Sequence, residues 1–350
     1  MGDNKLNKDN FTNGYNVLSG FKLFSGLPDI PEFSSKFPWY GSDLQTLASH
    51  IRPSMAKNLP HGKRVLLRID EKNEALAAIE NSRSAVSGAP KPTILLLHGL
   101  GGDENSIYMR EAAEYFRCLG HTVLRINLRG SGLSARTSHN IYHAGISEDL
   151  RSLLSFLPDS LTKHGVFIMG FSLGGNVLLK FMGDGSVPDF VKGAVSVSAP
   201  IDLKVAQHRI AEFRNRPYRA YLLRKLKRDF THICWKGDTD HIKNCDDISS
   251  IIEFDDKVIA PIYGFKDAYD YYEKCSSKSF IRKISKPTLM LHANTDPWIL
   301  PRPYKEALWC ENENVCTILS KDGGHVGFNS KNDNFPWYLK VASLFMSSLL

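Results

Sequence analysis

The sequence has little of what marks membrane-spanning, disulfide-rich or nucleic-acid-binding proteins. No apolar run approaches the roughly 18 residues that a membrane helix needs. The six cysteines include no CxxC pair and are too sparse for a disulfide scaffold, so we expect free thiols. Lysine and arginine exceed aspartate and glutamate by 44 to 37, but no long block of like charge occurs, and we expect no nucleic-acid partner.

The N-terminal segment lacks the apolar core of a secretory signal, and Leu6 stands where a myristoylation motif needs serine or threonine. We therefore expect a cytoplasmic protein that is at most peripheral to a membrane. What the chain does have is an ordinary globular composition, with 42% apolar and 23% charged residues. Its 350 residues allow one large domain or two small ones.

Short apolar runs alternate with longer amphipathic segments, a pattern typical of a parallel sheet with crossover helices. Several runs are followed by glycine or a small polar residue, as expected where a strand ends in a turn. Ligands bind at the C-terminal ends of the strands in such sheets, so functional residues are expected just after the runs. The runs are 64–69, 93–97, 122–126, 166–169, 194–198, 288–291 and 315–319.

The interval between the runs 194–198 and 288–291 is too long for one crossover helix. We predict a mostly helical cap insertion over about 202–285, within a main body that spans 61–350. Residues 1–60, which contain several prolines, are predicted to form an irregular arm that packs on this body.

The first part of the predicted cap, 203–230, is basic, with apolar residues set between the charges. A solvated face is the simpler interpretation of this stretch. The alternative is a surface that contacts anionic lipid, with Tyr218, Tyr221 and Leu222 as shallow anchors.

The most informative segment is a β-type run that leads into a GxSxG motif, Gly170 to Gly174, and then directly into a helical pattern. In this context the motif is typical of a nucleophile elbow, in which Ser172 sits on a sharp turn and the glycines leave room for neighbouring backbone. The serine then lies at a helix N-terminus, where free N–H groups favour developing negative charge. A plain N-cap serine would explain Ser172 but not the flanking glycines.

The elbow predicts an acid and then a histidine, each after a later strand. Asp296 follows the run 288–291, and His325 lies in a glycine-rich loop after the run 315–319. In this arrangement His325 takes the proton of Ser172 during attack on an acyl carbonyl, and Asp296 orients the imidazole. Asp202 is the rival acid, and a simple turn role before Pro297 remains the alternative for Asp296.

The tetrahedral oxyanion needs two backbone N–H donors. Leu173 follows the nucleophile and supplies one, and Leu100, in the glycine-rich loop after the run 93–97, is the predicted second donor. His98 is expected to orient this loop. We predict no metal site, because His139 and His143 lack the glutamate that a zinc-binding helix of that spacing would carry, and we predict no cofactor.

Several segments carry a resemblance to the α/β-hydrolases, and more narrowly to the YheT-like hydrolases and fungal medium-chain fatty acid ethyl ester synthase/esterases of AB hydrolase superfamily 4. The resemblance covers nearly the whole chain and implies an α/β-hydrolase fold, with a mostly parallel central sheet, flanking helices and a helical cap. It also implies Ser172, Asp296 and His325 as the catalytic triad. The segments are 38–47, 127–132, 170–176, 263–272 and 323–328.

These observations predict a serine esterase that acts on a small-molecule acyl ester. The resemblance implies short- to medium-chain acyl esters and a role in lipid metabolism. An alternative with the same mechanism is acyl transfer to an alcohol or cleavage of a thioester. A second alternative is a non-catalytic binding protein on the same fold, because a fold does not fix a function.

Overall fold

The computed structural model describes residues 15–17, 30–56, 59, 62–82, 90–233, 245, 247–306, 312–331 and 333–350. Much of the predicted arm 1–60, and residues 234–244 and 246 of the predicted cap, lie outside the described residues. Cys234 and Cys310 also lie outside the described residues. The other four cysteines form no disulfide bond, as expected from the sequence; they are Cys118, Cys245, Cys275 and Cys316.

The described strands are β1 (Tyr15–Val17), β2 (Lys63–Arg68), β3 (Glu74–Glu80), β4 (Thr93–Leu97), β5 (Val123–Ile126), β6 (Val166–Phe171), β7 (Val191–Val197), β8 (Thr288–Ala293) and β9 (Val315–Ser320). They form one sheet in the order β1-β9-β8-β7-β6-β4-β5-β3-β2. The pairings from β5 through β4, β6, β7 and β8 to β9 are parallel. The outer pairings are antiparallel: β1 pairs with β9, β2 with β3, and β3 with β5.

The described α-helices are α1 (Ser42–Ile51), α2 (Ile107–Cys118), α3 (Ser147–Ser155), α4 (Asp159–Thr162), α5 (Leu173–Gly183), α6 (Leu203–Ala211), α7 (Arg216–Thr231), α8 (Ile251–Phe254), α9 (Ala260–Tyr263), α10 (Ala268–Cys275), α11 (Arg302–Lys305) and α12 (Trp337–Ser347). A π-helical turn, Asp255–Ile259, joins α8 to α9. Within the described ranges, no helix combines the length and apolarity needed to cross a bilayer.

The predicted fold class, a mostly parallel sheet with flanking helices, is confirmed, and each predicted run lies largely within a strand. The sequence patterns missed β1 and β3. The first is only three residues long, and the second contains Ala75, Ala77 and Ala78, which have low strand propensity and owe their place to the sheet around them.

The sheet is buried on both faces because successive side chains of a strand point to opposite sides. On β4, Leu95 and Leu97 join the core that includes α3, α5 and the helices after β7. Ile94 and Leu96 join the opposite core, against α2 and α12. This explains why the central strands read as unbroken apolar runs rather than as an alternation.

The described residues between β7 and β8 are mostly helical, from α6 through α10, with one short 3₁₀ turn before α7 and two before β8. Their apolar side chains, among them Ile210, Leu222 and Phe254, belong to the same core as the sheet face beneath them. This segment therefore packs on the body rather than forming a separate core. Leu222 is buried, so the alternative interpretation of this residue as a surface anchor is wrong.

Helix α1, within the predicted arm, packs directly on the loop after β9. The Gln45 side chain is fully buried; its amide donates to Asn329 O over 3.1 Å and its Oε1 accepts from Asn329 N over 2.7 Å. Thr46 Oγ1 accepts from the backbone N–H of His325 over 2.8 Å. A Cβ at Gly327 would lie 2.0 Å from the Gln45 carbonyl, so glycine is needed for this approach.

Gln45→Leu removes these amide hydrogen bonds and leaves the Asn329 N–H buried and unpaired, while the Asn329 carbonyl keeps its hydrogen bond from Lys36 N. We expect the free energy of unfolding to fall by about 3 kcal/mol in urea denaturation. Leu44→Ala, at an exposed position of the same helix, serves as the matched control and should change it by less than about 1 kcal/mol. Equal effects of the two variants would contradict the role assigned to Gln45.

Candidate active site

Ser172 occupies the sharp turn between β6 and α5. Its backbone has φ 51° and ψ −121°, a conformation that side-chain-bearing residues rarely adopt. The flanking glycines are required sterically: a Cβ at Gly170 would lie 2.4 Å from Gly174 O, and one at Gly174 would lie 2.4 Å from His98 O. The predicted strand, turn and helix are therefore present around this serine.

The structure brings Ser172, His325 and Asp296 together from three strand exits. His325 Nε2 lies 2.8 Å from Ser172 Oγ, and its Nδ1 lies 2.9 Å from Asp296 Oδ2. The network assigns the ring proton to Nδ1, which donates to the carboxylate, so that Nε2 can accept from the serine hydroxyl. This is the geometry that general-base activation of a serine needs.

Asp296 is buried and held as an anion. Burial opposes its ionisation, but neighbouring His325, its hydrogen bond, His292 and the Ile299 N–H together hold the pKa of Asp296 below its usual range. Its Oδ1 accepts from the backbone N–H groups of Trp298 over 2.8 Å and Ile299 over 3.0 Å. One carboxylate oxygen is thus fixed by the loop, and the other faces the imidazole.

Asp202, the rival acid, has other partners. Its Oδ1 caps α6 by accepting from Val205 N over 3.1 Å. Its Oδ2 lies 3.4 Å from Lys278 Nζ. Among the contacts that the structure describes, it makes none with His325.

The loop after β4 has one backbone N–H group available beside the serine. The N–H groups of Gly99 and Gly101 donate to the hydroxyls of Tyr108 and Tyr142, and that of Gly102 donates to Gly99 O. The Leu100 N–H has no such partner among the described residues. Leu173, the first residue of α5, likewise has an N–H that no helical carbonyl accepts.

Close packing brings this loop against Ser172, since a Cβ at Gly99 would lie 2.9 Å from Ser172 Cβ. Both Leu100 and Leu173 line the same cavity as Ser172. The cavity wall beside Ser172 therefore includes two residues whose N–H groups are used by neither the loop nor the helix, and an oxyanion needs donors of this kind.

His98 holds the loop after β4 in place through hydrogen bonds of both ring nitrogens. Its Nδ1 donates to Gly99 O over 2.8 Å, and its Nε2 accepts from Leu128 N over 3.1 Å. Burial lowers the pKa of His98 to about 4, so the ring is neutral at neutral pH. The ring is fully buried, in keeping with the positioning role expected from the sequence.

Two features around the site carried no signal in the sequence. The Trp298 indole stacks on the His325 imidazole, with ring centroids 4.4 Å apart. Ser198 and Val326 also have positive φ, and Val326 N donates to Ser198 Oγ over 3.2 Å. Backbone strain therefore clusters at the ends of β6 and β7 and beside His325, which is where strained residues at functional sites are usually found.

The cavity at this site holds about 940 Å³ of empty space, including its open mouth. Its wall is mainly apolar, from the sheet exits on one side and from α1, α6, α7, α8 and α10 on the others. The lining residues include His50, Ser172, Gln207, Leu222, Asp255 and Trp298. Across the described ranges, no three His, Cys, Asp or Glu side chains are grouped as a metal site would need.

Comparisons with known proteins agree with the fold. The alpha/beta hydrolase fold family matches residues 92–232. YheT of Escherichia coli strain K12 is 32% identical over 313 residues, which are 86% of this chain and 89% of that protein. That protein is named as an esterase on a provisional basis.

A monoacylglycerol lipase of Saccharomyces cerevisiae is 27% identical over 268 residues, 73% of this chain and 59% of its own length. Among solved structures, the Pyrococcus furiosus esterase Pf2001 aligns with a TM-score of 0.54 at 17% identity, over 81% of this chain and 90% of that one. The match to YheT confirms the resemblance seen in the sequence motifs.

Proposed function

Because this chain belongs to the α/β-hydrolase family and is YheT-like, we propose that it cleaves carboxylic esters through an acyl intermediate on Ser172. By its similarity to relatives named as an esterase and a lipase, the chain is an esterase/lipase-like hydrolase. The observation that carries the proposal is the hydrogen-bonded series from Ser172 through His325 to Asp296, at the wall of an apolar cavity.

In the proposed acylation step, Ser172 Oγ attacks the carbonyl carbon of the ester while its proton passes to His325 Nε2. The charge that develops on the carbonyl oxygen is stabilised by the N–H groups of Leu100 and Leu173. The Asp296 carboxylate stabilises the imidazolium. The tetrahedral species then collapses as His325 returns the proton to the leaving alcohol.

Deacylation repeats these steps with water as the nucleophile. His325 takes a proton from the water, the hydroxide adds to the acyl carbon, and Ser172 leaves with the proton from the imidazolium. The products are a carboxylic acid and the free serine. An alcohol in place of water gives acyl transfer, and a thioester enters by the same acylation step.

The apolar wall of the cavity supports esters with short- to medium-chain acyl groups as substrates, as the family resemblance implies. The yeast relative named as a monoacylglycerol lipase supports lipid-derived esters more broadly.

A fluorophosphonate probe should label the wild-type protein, because Ser172 is activated and accessible, and Ser172→Ala should remove the labelling. We also expect Ser172→Ala to lower kcat for p-nitrophenyl esters by about 10⁶-fold, to the background rate. Mass spectrometry of the probe adduct and initial-rate kinetics are the measurements. A wild-type protein that is folded yet neither labelled nor active would favour the alternative of a non-catalytic binding protein.

The same kinetics across p-nitrophenyl esters of increasing acyl length test the substrate class. We expect kcat/KM to be greatest for short and medium chains and to fall for long ones. Added ethanol distinguishes hydrolysis from acyl transfer by the appearance of ethyl esters.

Asp296→Asn should lower kcat about 10⁴-fold, because the amide no longer holds the imidazole in the productive tautomer. Asp202→Asn serves as the matched control and should change kcat by no more than a few-fold, since Asp202 caps α6 and contacts Lys278. Loss of activity in Asp202→Asn with an active Asp296→Asn would reverse the assignment of the acid.

We further propose that the face shared by α1 and the loop before α7 contacts anionic lipid. Arg214 of this loop and Tyr218 in the first turn of α7 both donate to the Asp43 carboxylate over 3.0 Å, which joins the loop and the start of α7 to α1. Beside this junction Leu44 is partly exposed and Phe213 is 85% exposed. This loop and α7 also carry exposed basic side chains, among them Arg214, Arg216 and Arg224. Apolar and basic groups on one surface favour an anionic bilayer.

Phe213→Ser should weaken sedimentation with vesicles of phosphatidylcholine and phosphatidylserine about tenfold, because it removes an aromatic anchor from the interface. Phe156→Ser, at an exposed position after α3, is the control and should have no effect. Binding that is absent, insensitive to salt or equally affected by both variants would contradict this contact.

A further inference from the structure

Asp255 places a carboxylate in the mainly apolar wall of the cavity beside Ser172. The residue is 9% exposed and opens the π-helical turn between α8 and α9. π-Helical turns are rare in proteins, and those that occur are often found at functional sites. Its neighbour Asp256 is exposed and accepts a hydrogen bond from Ala268 N over 3.0 Å, so the two acidic side chains have different surroundings.

Asp255 differs from the other buried carboxylates that the structure describes. Each of the others contacts a basic side chain, in the pairs Arg52–Glu111, Arg64–Glu104, Arg117–Glu114, Arg125–Glu80, Arg129–Asp149, Arg228–Asp229 and His325–Asp296. Asp255 has no basic partner within the described residues. Among the described residues, its side chain accepts one hydrogen bond, from the Tyr272 hydroxyl to Oδ2 over 2.6 Å.

Burial is the main cause that raises the pKa of Asp255, to about 7, and the nearby Asp256 carboxylate adds to it. A buried carboxyl group with one hydrogen bond lacks partners that it would have in water, and this costs free energy unless a ligand or water supplies them. An alkyl chain in the cavity cannot supply a hydrogen bond.

A second polar side chain lines the same cavity. Gln207 of α6 lines the cavity, and its amide makes no hydrogen bond with any residue in the described ranges. Together, Asp255 offers an acceptor and Gln207 offers both a donor and an acceptor. A hydroxyl group, which donates one hydrogen bond and accepts others, matches this pair.

We propose that Asp255, positioned by Tyr272 and accompanied by Gln207, forms a subsite that binds a hydroxyl group carried by the ester substrate. This inference rests on the proposed esterase function. The hydroxyl belongs either to the alcohol part, as in a glycerol ester, or to the acyl part, as in a hydroxy acid. A neutral hydroxyl fits better than an ammonium group, because the remaining apolar wall would strip water from a cation without replacing it.

The test compares matched esters with and without a hydroxyl group. Propyl octanoate and 1-monooctanoylglycerol share the acyl chain and a three-carbon alcohol, and ethyl octanoate and ethyl 8-hydroxyoctanoate differ only on the acyl chain. We expect the wild type to show the higher kcat/KM for the hydroxylated member of one pair. The pair that responds identifies which part of the ester reaches Asp255.

Asp255→Leu should lower that hydroxyl preference about tenfold or more, while kcat/KM for the hydroxyl-free ester stays equal or rises. Asp255→Asn keeps the size and the hydrogen bond from Tyr272 and should lower the preference less, so it serves if the leucine variant fails to fold. Asp256→Asn makes the same change one residue away, outside the cavity, and should leave the preference unchanged.

The subsite is overturned if neither pair shows a preference, or if the Asp255 variants lower kcat/KM for both members of a pair equally. In those cases fluorophosphonate labelling and hydrolysis of propyl octanoate by the wild type would leave the proposed function standing. A folded wild-type protein that neither labels nor hydrolyses any of these esters would overturn both.

Discussion

The hydrogen bond between Ser172 and His325 joins residues 153 positions apart in the chain, and the rest of the structure determines whether it forms. In the sheet, β7 and β8 lie between β6, which ends at the serine, and β9, which precedes the histidine. A slip of register in any of these pairings would turn side chains to the opposite face and separate the two residues. The parallel centre of the sheet thus fixes the position of the strand exits.

The strand exits alone do not hold the histidine loop, which also depends on α1. Gln45 and Thr46 bind backbone groups of Asn329 and His325, and the close approach requires glycine at position 327. The site is therefore assembled from the sheet core and from a helix that precedes every strand of the parallel centre. Residues 92–232, which match the family, include Ser172 but neither Asp296 nor His325.

Two carboxylates near one cavity show how their surroundings determine their chemistry. Asp296 has an imidazole and two backbone N–H groups as partners, and these hold its pKa low despite burial. Asp255 has one tyrosine hydroxyl, so burial prevails and raises its pKa. The difference lies in the number of hydrogen-bond donors and positive charges around each group.

The sequence was sufficient to predict the sheet class and the residues that meet at the site, because both have local signals. Central strands form apolar runs, and Ser172, Asp296 and His325 each follow one of them within a few residues. The roles of Gln45, Trp298 and Asp255 have no such signal. Their partners come from segments distant in the chain, and nothing in the composition around Asp255 distinguishes a cavity wall from an exposed helix.

The π-helical turn after α8 gives this cap a further property. Such a turn corresponds to one additional residue in a helix, and one residue rotates the following part of an α-helix by about 100°. Gain or loss of a single residue there would change which side chain faces the cavity, while the sheet, Ser172 and the loops beneath would keep their positions. Selectivity in this architecture can thus diverge through helix length, separately from the reaction itself.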